Sequence, residues 1–323
     1  MENILKVTPG RMYKKEDQKL VGLFLRDFVK RLAKRYGSEI DFIILYGSAA
    51  RGEFIRGVSD IDLTIQLRRQ KSVPSVKQHA EKLFWEMDRK HKTLFRKVCS
   101  AKKPRKLMGK IIKEFEKHTG IYVPIFVFGP DDIDWKNGRY LKKEYKFGAV
   151  FFAPAASVFY KLKTEGKILY GRDIRPCIKP KITLWERFKT IMVPFWLSWG
   201  AAFIVNFSPK KAVKNASKAV LYEVDAALFY LDYLKTTAKQ KKFRELSEFK
   251  FRINRLARFL ELNLDIKYNA LNPKKFDIIE DALKYKREFK GSKKSARKFV
   301  YRAWAFVNTM NWIVMIRRLF RLR

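Results

Sequence analysis

The stretch Leu45–Leu63, LYGSAARGEFIRGVSDIDL, limits the possible folds more than any other part of the chain. An apolar run, DFIILY, ends in Gly47-Ser48. After eleven intervening residues, Asp60 and Asp62 open a second apolar run, IDLTIQL. Apolar runs of this length beside turn residues read as buried strands. Strand side chains alternate between faces, so residues two apart point the same way. Asp60 and Asp62 therefore stand side by side. Two carboxylates so placed repel unless a cation lies between them or one is protonated.

The residues around this pair suit a phosphorylated ligand. Magnesium prefers hard oxygen ligands and shares them with substrate phosphates. Gly47 lets a ligand approach the backbone closely. The hydroxyl and N–H of Ser48 suit a terminal phosphate at a helix N-terminus. Arg51, one turn on, suits the same triphosphate. Two acids, a cation and a phosphate-holding turn on adjacent strands point to phosphoryl or nucleotidyl transfer.

The segment YGSAARGEFIRGVSDIDLTI resembles the signature of the DNA polymerase beta-like nucleotidyltransferase superfamily. It is close to the minimal nucleotidyltransferases, the kanamycin-type transferases and the CCA-adding enzymes. The resemblance implies an α+β fold, with a small mixed β-sheet, flanking helices and a helical domain after them. It implies two-metal chemistry with Mg2+ or Mn2+. A nucleoside monophosphate would pass from an NTP, ATP being the expected donor, to a hydroxyl. On this resemblance Gly47 and Ser48 are the phosphate-binding pair, and Asp60 and Asp62 are the metal ligands and catalytic acids. The stretch FYKLKTEGKILYGRD, 159–173, also resembles the end of a minimal transferase domain. One departure stands out. The family usually takes a third carboxylate from the third strand, and IYVPIFVFG, 121–129, holds none. Asp131, Asp132 and Asp134 follow it, as candidates for the third acid or as turn residues.

Charge addresses the partner. Lys and Arg number 72 against 32 Asp and Glu, a net +40 with a pI near 10.2. A polyanion is the natural counterpart, and RNA, including tRNA, is the expected acceptor. Two clusters could grip it: Lys102, Lys103, Arg105 and Lys106 in a basic helical insert over 68–118, and Lys293, Lys294, Arg297 and Lys298 among interleaved aromatics. The alternatives are nucleotidylation of a partner protein, a small antibiotic-like acceptor, and a catalytically weak nucleic-acid-binding protein that keeps the fold.

Cys99 and Cys177 are far apart and lack metal-ligand spacing. They point to a reducing, cytoplasmic setting rather than a disulfide or zinc scaffold. His79, His91 and His118 read as surface residues. The uncharged stretch 190–209 is long enough to span a bilayer, but Pro194, Ser198, Asn206 and its aromatics favour a buried helix. Integral membrane insertion is not expected, although a membrane-surface role for this stretch is a further alternative. The N-terminus, MENILKVTPGRMYKKEDQ, has no apolar signal-peptide core.

The remaining pattern divides the chain. A helical stripe at Leu20, Leu23, Phe24, Phe28 and Leu32 precedes the first strand, with Gly37 as its stop. A helix over 155–164 and the segment GKILYGRDI close the first half. Pro176 and Pro180 mark a boundary, giving a transferase domain over 1–175 and an all-helical domain over 176–323. Helices are expected from Pro209 onward and over 244–262, 273–288 and 293–320.

Overall fold

The computed structural model describes residues 15–95, 125–143, 155–234 and 277–319. Its contacts divide the chain into two compact units, Met1–Glu186 and Arg187–Arg323. The Pro176–Pro180 segment lies before that division.

The first unit is built on a four-stranded sheet. Helix α1 (Lys15–Tyr36) leads into β1 (Ile40–Tyr46), a single turn α2 (Gly47–Ala50) and β2 (Asp62–Leu67). Helix α3 (Val73–His91) and edge strand β3 (Ile125–Phe128) follow. A small hairpin, β4 (Ile133–Asp134) and β5 (Arg139–Tyr140), comes next. Helix α4 (Ala155–Glu165) and β6 (Lys167–Gly171) complete the unit. Spatial order is β3-β2-β1-β6. β1 runs antiparallel to both β2 and β6, while β2 and β3 run parallel, so the sheet is mixed as expected.

Burial on both faces explains why β1 is apolar from Phe42 to Leu45. Ile43 and Leu45 face a core shared with Phe24, Phe28, Phe84 and Phe95 from the α1 and α3 side. Phe42 and Ile44 face the opposite core, with Phe128, Ile133, Phe159 and Leu162 from α4 and the hairpin. Both faces of the sheet are covered, and a strand buried twice has no polar side.

The α1 stripe is rotated from the sequence expectation. Its buried residues are Val21, Phe24, Leu25, Phe28, Val29 and Leu32, while Leu23 is exposed. The helix lies flat on the sheet and α3 together, so it buries a wider arc than a narrow two-position seam. The exit of α3 is tied down by Asp88, whose carboxylate accepts from Thr93 Oγ1 (2.5 Å) and Phe95 N (2.9 Å). That bend delivers Phe95 to Phe24 and Phe84, with ring centroids 5.1 and 5.2 Å away.

The second unit is helical. It contains most of α5 (Leu184–Ile204), then α6 (Pro209–Leu234), α7 (Asp277–Arg287) and α8 (Lys293–Leu319). Pro209 opens α6, as the Ser208-Pro209 pair predicts. Val213, Val220 and Val224 are buried as expected, joined by Ala212, Ala216 and Ala219. These small side chains let α8 approach through Ala296, Val300, Ala303 and Val307. Ala227, Leu231 and Leu234 of the expected face, and the helix expected over 244–262, lie outside the residues whose side chains or backbone are described.

The aromatic cluster of the first unit makes a direct prediction. Phe84 is fully buried against Phe24, Phe28, Trp85 and Phe95. Phe84→Ala is expected to lower unfolding free energy by about 3–5 kcal/mol, read from a urea melt. A loss under about 1 kcal/mol would contradict the packing described.

Candidate functional site

The carboxylate pair sits where the sheet topology concentrates chain ends. β1 and β2 are antiparallel, and their register pairs Tyr46 with Asp62. The last residue of one strand therefore lies beside the first residue of the other. β6 begins at the same end, pairing Lys167 with Leu45 and Ile168 with Ile44. The last turn of α4 is thereby carried to the carboxylates.

Gly47 is required at this corner. Its φ is +71°, a left-handed conformation, and a Cβ on it would collide with the Asp62 carboxylate. Only glycine offers both the angle and the space. The turn that follows is four residues long, Gly47–Ala50, with no side-chain cap. The helix N-terminus expected at Ser48 is this single turn. The chain turns back at once, with Glu53 N donating to Ser48 O (2.8 Å) and Arg51 N to Gly47 O (3.3 Å). A single turn sums few peptide dipoles, so any phosphate held here rests on local N–H and hydroxyl groups.

Asp60 is exposed and Asp62 is half-buried, with its carboxylate set into the protein behind Gly47. Burial, and next the Asp60 carboxylate, push Asp62 up to about 7, against the pull of Arg51 and Lys161. The Asp60 contribution is the repulsion the sequence implies for two adjacent acids. The raised pKa of Asp62 links folding to pH. Between the unfolded value near 3.8 and the folded value near 7, the native chain holds a proton that the unfolded chain has lost. The contribution of this group to stability therefore falls as pH rises through that window. A divalent cation would take the proton's place. The donor set, two hard carboxylates strained by their own charge, fits such an ion. No cluster of three or more His, Cys, Asp or Glu occurs among the described residues.

Arg51 is near the pair but heavily engaged. Its Nη2 lies 2.9 Å from Glu53 Oε2, and its Nη1 lies 2.9 Å from Glu165 Oε2. Its side chain is only 13% exposed. The guanidinium pins the 51–53 corner to the end of α4.

Asp131, Asp132 and Asp134 stand at the wrong end of the sheet. The parallel register sets Leu63 against Ile125 and Gln66 against Phe128, so Asp62 lies at the start of this strand pair. The three acids follow its finish. Strand rise alone puts about 13 Å between the two ends. Asp132 is buried and organises a turn, accepting from Gly129 N (2.7 Å) and Gln70 Nε2 (3.2 Å). Asp134 accepts from the Asn137 side-chain amide (2.7 Å), which holds its carboxyl below the usual range. The turn reading of these acids is the one the geometry supports.

Two residues of the site were not singled out by sequence. Lys161 of α4 acts electrostatically on Asp62. It stands one helical turn before Glu165, a spacing that puts both on one face. Tyr46 lies against Asp62, shares a hydrogen bond with Thr64, and is held protonated well above its ordinary range by burial and then by Asp62. The sequence signals were faint: an i, i+4 Lys-Glu pair, and a tyrosine immediately before the glycine.

The basic clusters fare unequally. Lys102, Lys103, Arg105 and Lys106 lie outside the described residues. Lys293, Lys294, Arg297 and Lys298 are exposed on the first turns of α8 in the second unit.

The chain was compared with known proteins. Residues 25–123 match the family model of the nucleotidyltransferase domain. The match contains Gly47, Ser48, Asp60 and Asp62, and it identifies this part of the chain as a nucleotidyltransferase domain of the DNA polymerase beta-like kind. Such domains are enzymes that move a nucleoside monophosphate from an NTP. A spectinomycin adenyltransferase from Enterococcus faecialis, solved with ATP and spectinomycin, is 10% identical. The alignment covers 90% of this chain and 98% of that one, at a TM-score of 0.40. No curated protein sequence matches the chain significantly.

The engagement of Arg51 yields a prediction. Arg51→Ala removes the ion pairs of a mostly buried guanidinium with Glu53 and Glu165, and is expected to cost about 3 kcal/mol of unfolding free energy. A variant as stable as the wild type, with weakened NTP binding, would return Arg51 to the phosphate-binding set.

Proposed function

We propose that this chain is a magnesium-dependent nucleotidyltransferase that uses ATP to modify a hydroxyl on RNA. The observation that carries the transferase reading is the Asp60–Asp62 pair facing the glycine corner, with Asp62 pushed up to about 7. The acceptor oxygen would form a bond to the α-phosphorus. The α–β phosphoanhydride bond would break, and pyrophosphate would leave while the hydroxyl gives up its proton.

The chain's own residues have separable tasks in this scheme. Gly47 keeps the corner free of a side chain, so a phosphate can come within reach of the Ser48 hydroxyl and backbone. Asp60 and Asp62 would hold a magnesium ion, which supplies charge neutralisation for the triphosphate. Lys161 adds positive charge at the same end of the sheet. Tyr46, kept neutral, can offer a hydroxyl beside Asp62 without adding to its charge. Arg51 preserves the corner through Glu53 and Glu165.

RNA as acceptor is supported by the net charge of +40 and by the exposed Lys293, Lys294, Arg297 and Lys298. ATP and a cytoplasmic setting belong to the same proposal. One observation favours a second reading, a nucleotide-binding protein with little turnover. Asp131, Asp132 and Asp134 are at the far end of the β2–β3 pair, so none of them completes a third-acid set.

The test is incorporation of each of the four labelled NTPs into total RNA and total protein. Labelled RNA with ATP, lost at least 100-fold in Asp60→Asn and Asp62→Asn, is the expected result; losses of this order follow removal of a charge-stabilising group. Label in protein alone would reassign the acceptor. Nucleotide binding without incorporation into either would favour the second reading.

A further inference from the structure

The helical unit carries a feature that nucleotidyl transfer does not use. Along α5 and just beyond it, Trp196, Trp199, Phe203 and Phe207 are 65%, 45%, 77% and 81% exposed. Their spacing of three, four and four residues aligns them on one side of the helix. Sequence suggested that this stretch is a buried helix. It is helical, but its large aromatics face outward. They expose roughly 500 Å², taking about 200 Å² for each such side chain. That is the size of the largest patch an ordinary monomer shows, and such patches are often functional. The rings are also held in place. Trp199 packs edge-on against Trp304 at 5.2 Å and its Nε1 donates to Asn308 Oδ1 (3.3 Å), and Phe203 lies 6.5 Å from Phe207.

The charge around the stripe identifies what covers it. Residues 190–209 contain no Asp, Glu, Lys or Arg. Lys210 and Lys211, both exposed, follow Phe207 directly at the start of α6. Arg297 Nε donates to Asn206 Oδ1 (2.8 Å), bringing the start of α8 beside the end of α5. Lys293 and Lys294 are exposed just before it. The result is an apolar stripe with cations gathered at one end.

Three occupants can be compared on this basis. A second copy of the chain would cover the stripe but offer no anionic counterpart to the exposed Lys210 and Lys211 beside it. A single-stranded RNA lying along the stripe would bring a phosphate at every nucleotide past a face that has no cation between residues 190 and 209. An anionic bilayer matches both parts. Tryptophan and phenylalanine partition into the boundary between headgroups and acyl chains, and lysine and arginine remain at the level of the headgroup phosphates. No helix among the described residues is long and apolar enough to cross a membrane, so the helix would lie in the plane of the surface.

We propose that the Trp196–Phe207 face docks on an anionic lipid surface, inserting its four aromatic side chains while Lys210, Lys211 and Arg297 meet lipid phosphates. This is independent of the transferase reading, since it requires neither nucleotide nor catalysis.

The test mixes the full chain with phosphatidylcholine vesicles, or with the same vesicles carrying phosphatidylglycerol. Expected results are co-sedimentation with the anionic vesicles, a blue shift of tryptophan emission on binding, and weakening by salt. The variant Trp196→Ser/Phe203→Ser/Phe207→Ser should bind at least about tenfold more weakly, a modest share of the transfer free energy of three such side chains. Lys210→Glu/Lys211→Glu changes only exposed residues and should remove the preference for anionic vesicles. The proposal is overturned if the wild type stays in the supernatant with both vesicles, or if both variants bind as it does. It is also overturned if the triple serine variant converts a dimer to a monomer in light scattering, or loses RNA affinity instead of vesicle affinity.

Discussion

The mutual repulsion of Asp60 and Asp62 is the constraint around which the first unit is arranged. Burial of the Asp62 carboxylate raises its cost most, and the neighbouring Asp60 charge adds to it. The surroundings accommodate this. A glycine with φ of +71° leaves room for the Asp62 carboxylate, and the charges of Arg51 and Lys161 partly offset it. Arg51 reaches it from the turn after β1, and Lys161 because β6 runs back along β1 and carries the end of α4 to the same edge. The large aromatic core behind the sheet gives stability from which such a strained corner can be maintained.

The same topology explains what the corner lacks. β3 runs parallel to β2, so residues after β3 finish on the other side of the sheet. β3 itself, Ile125–Phe128, carries no acid. Asp131, Asp132 and Asp134 looked available only because sequence distance says nothing about strand direction. Their hydrogen bonds to Gly129, Gln70 and Asn137 build the turn that ends the strand.

Much of the first unit was legible in advance. Strand alternation and the Gly-Ser/Asp-x-Asp spacing anticipated that Gly47 and Asp62 meet at one corner of the sheet. What failed to show was three-dimensional company. Arg51 was read against a ligand because its carboxylate partner Glu165 is 114 residues away. Lys161 was passed over because nothing in FYKLKTEG says that the helix ends at the carboxylates. The α1 stripe was drawn around Leu20 and Leu23 because a pattern of apolar residues fits more than one face, and packing against both α3 and the sheet decides which is buried. In α5, hydrophobicity was correctly read as helix, and burial holds for Ile191, Pro194, Ser198 and Ala201 but not for Trp196, Trp199 and Phe203. Periodicity reports conformation, while exposure depends on which neighbours arrive.

The two units divide the labour of charge differently. The first gathers acids into one corner of a very basic chain, and the second sets its cations beside an uncharged aromatic stripe. The account rests on the acid corner being a cation site, and calorimetry of magnesium binding tests that directly. Asp62 is protonated below about 7, so a cation must displace a proton at low pH and none at high pH. The account predicts that the wild type binds Mg2+ at pH 8 at least about tenfold more tightly than at pH 5.5, since each pH unit below the pKa costs about tenfold in the ionised form, and that Asp60→Asn/Asp62→Asn abolishes the binding. Equal affinity at the two pH values, or binding that survives the double substitution, would contradict it.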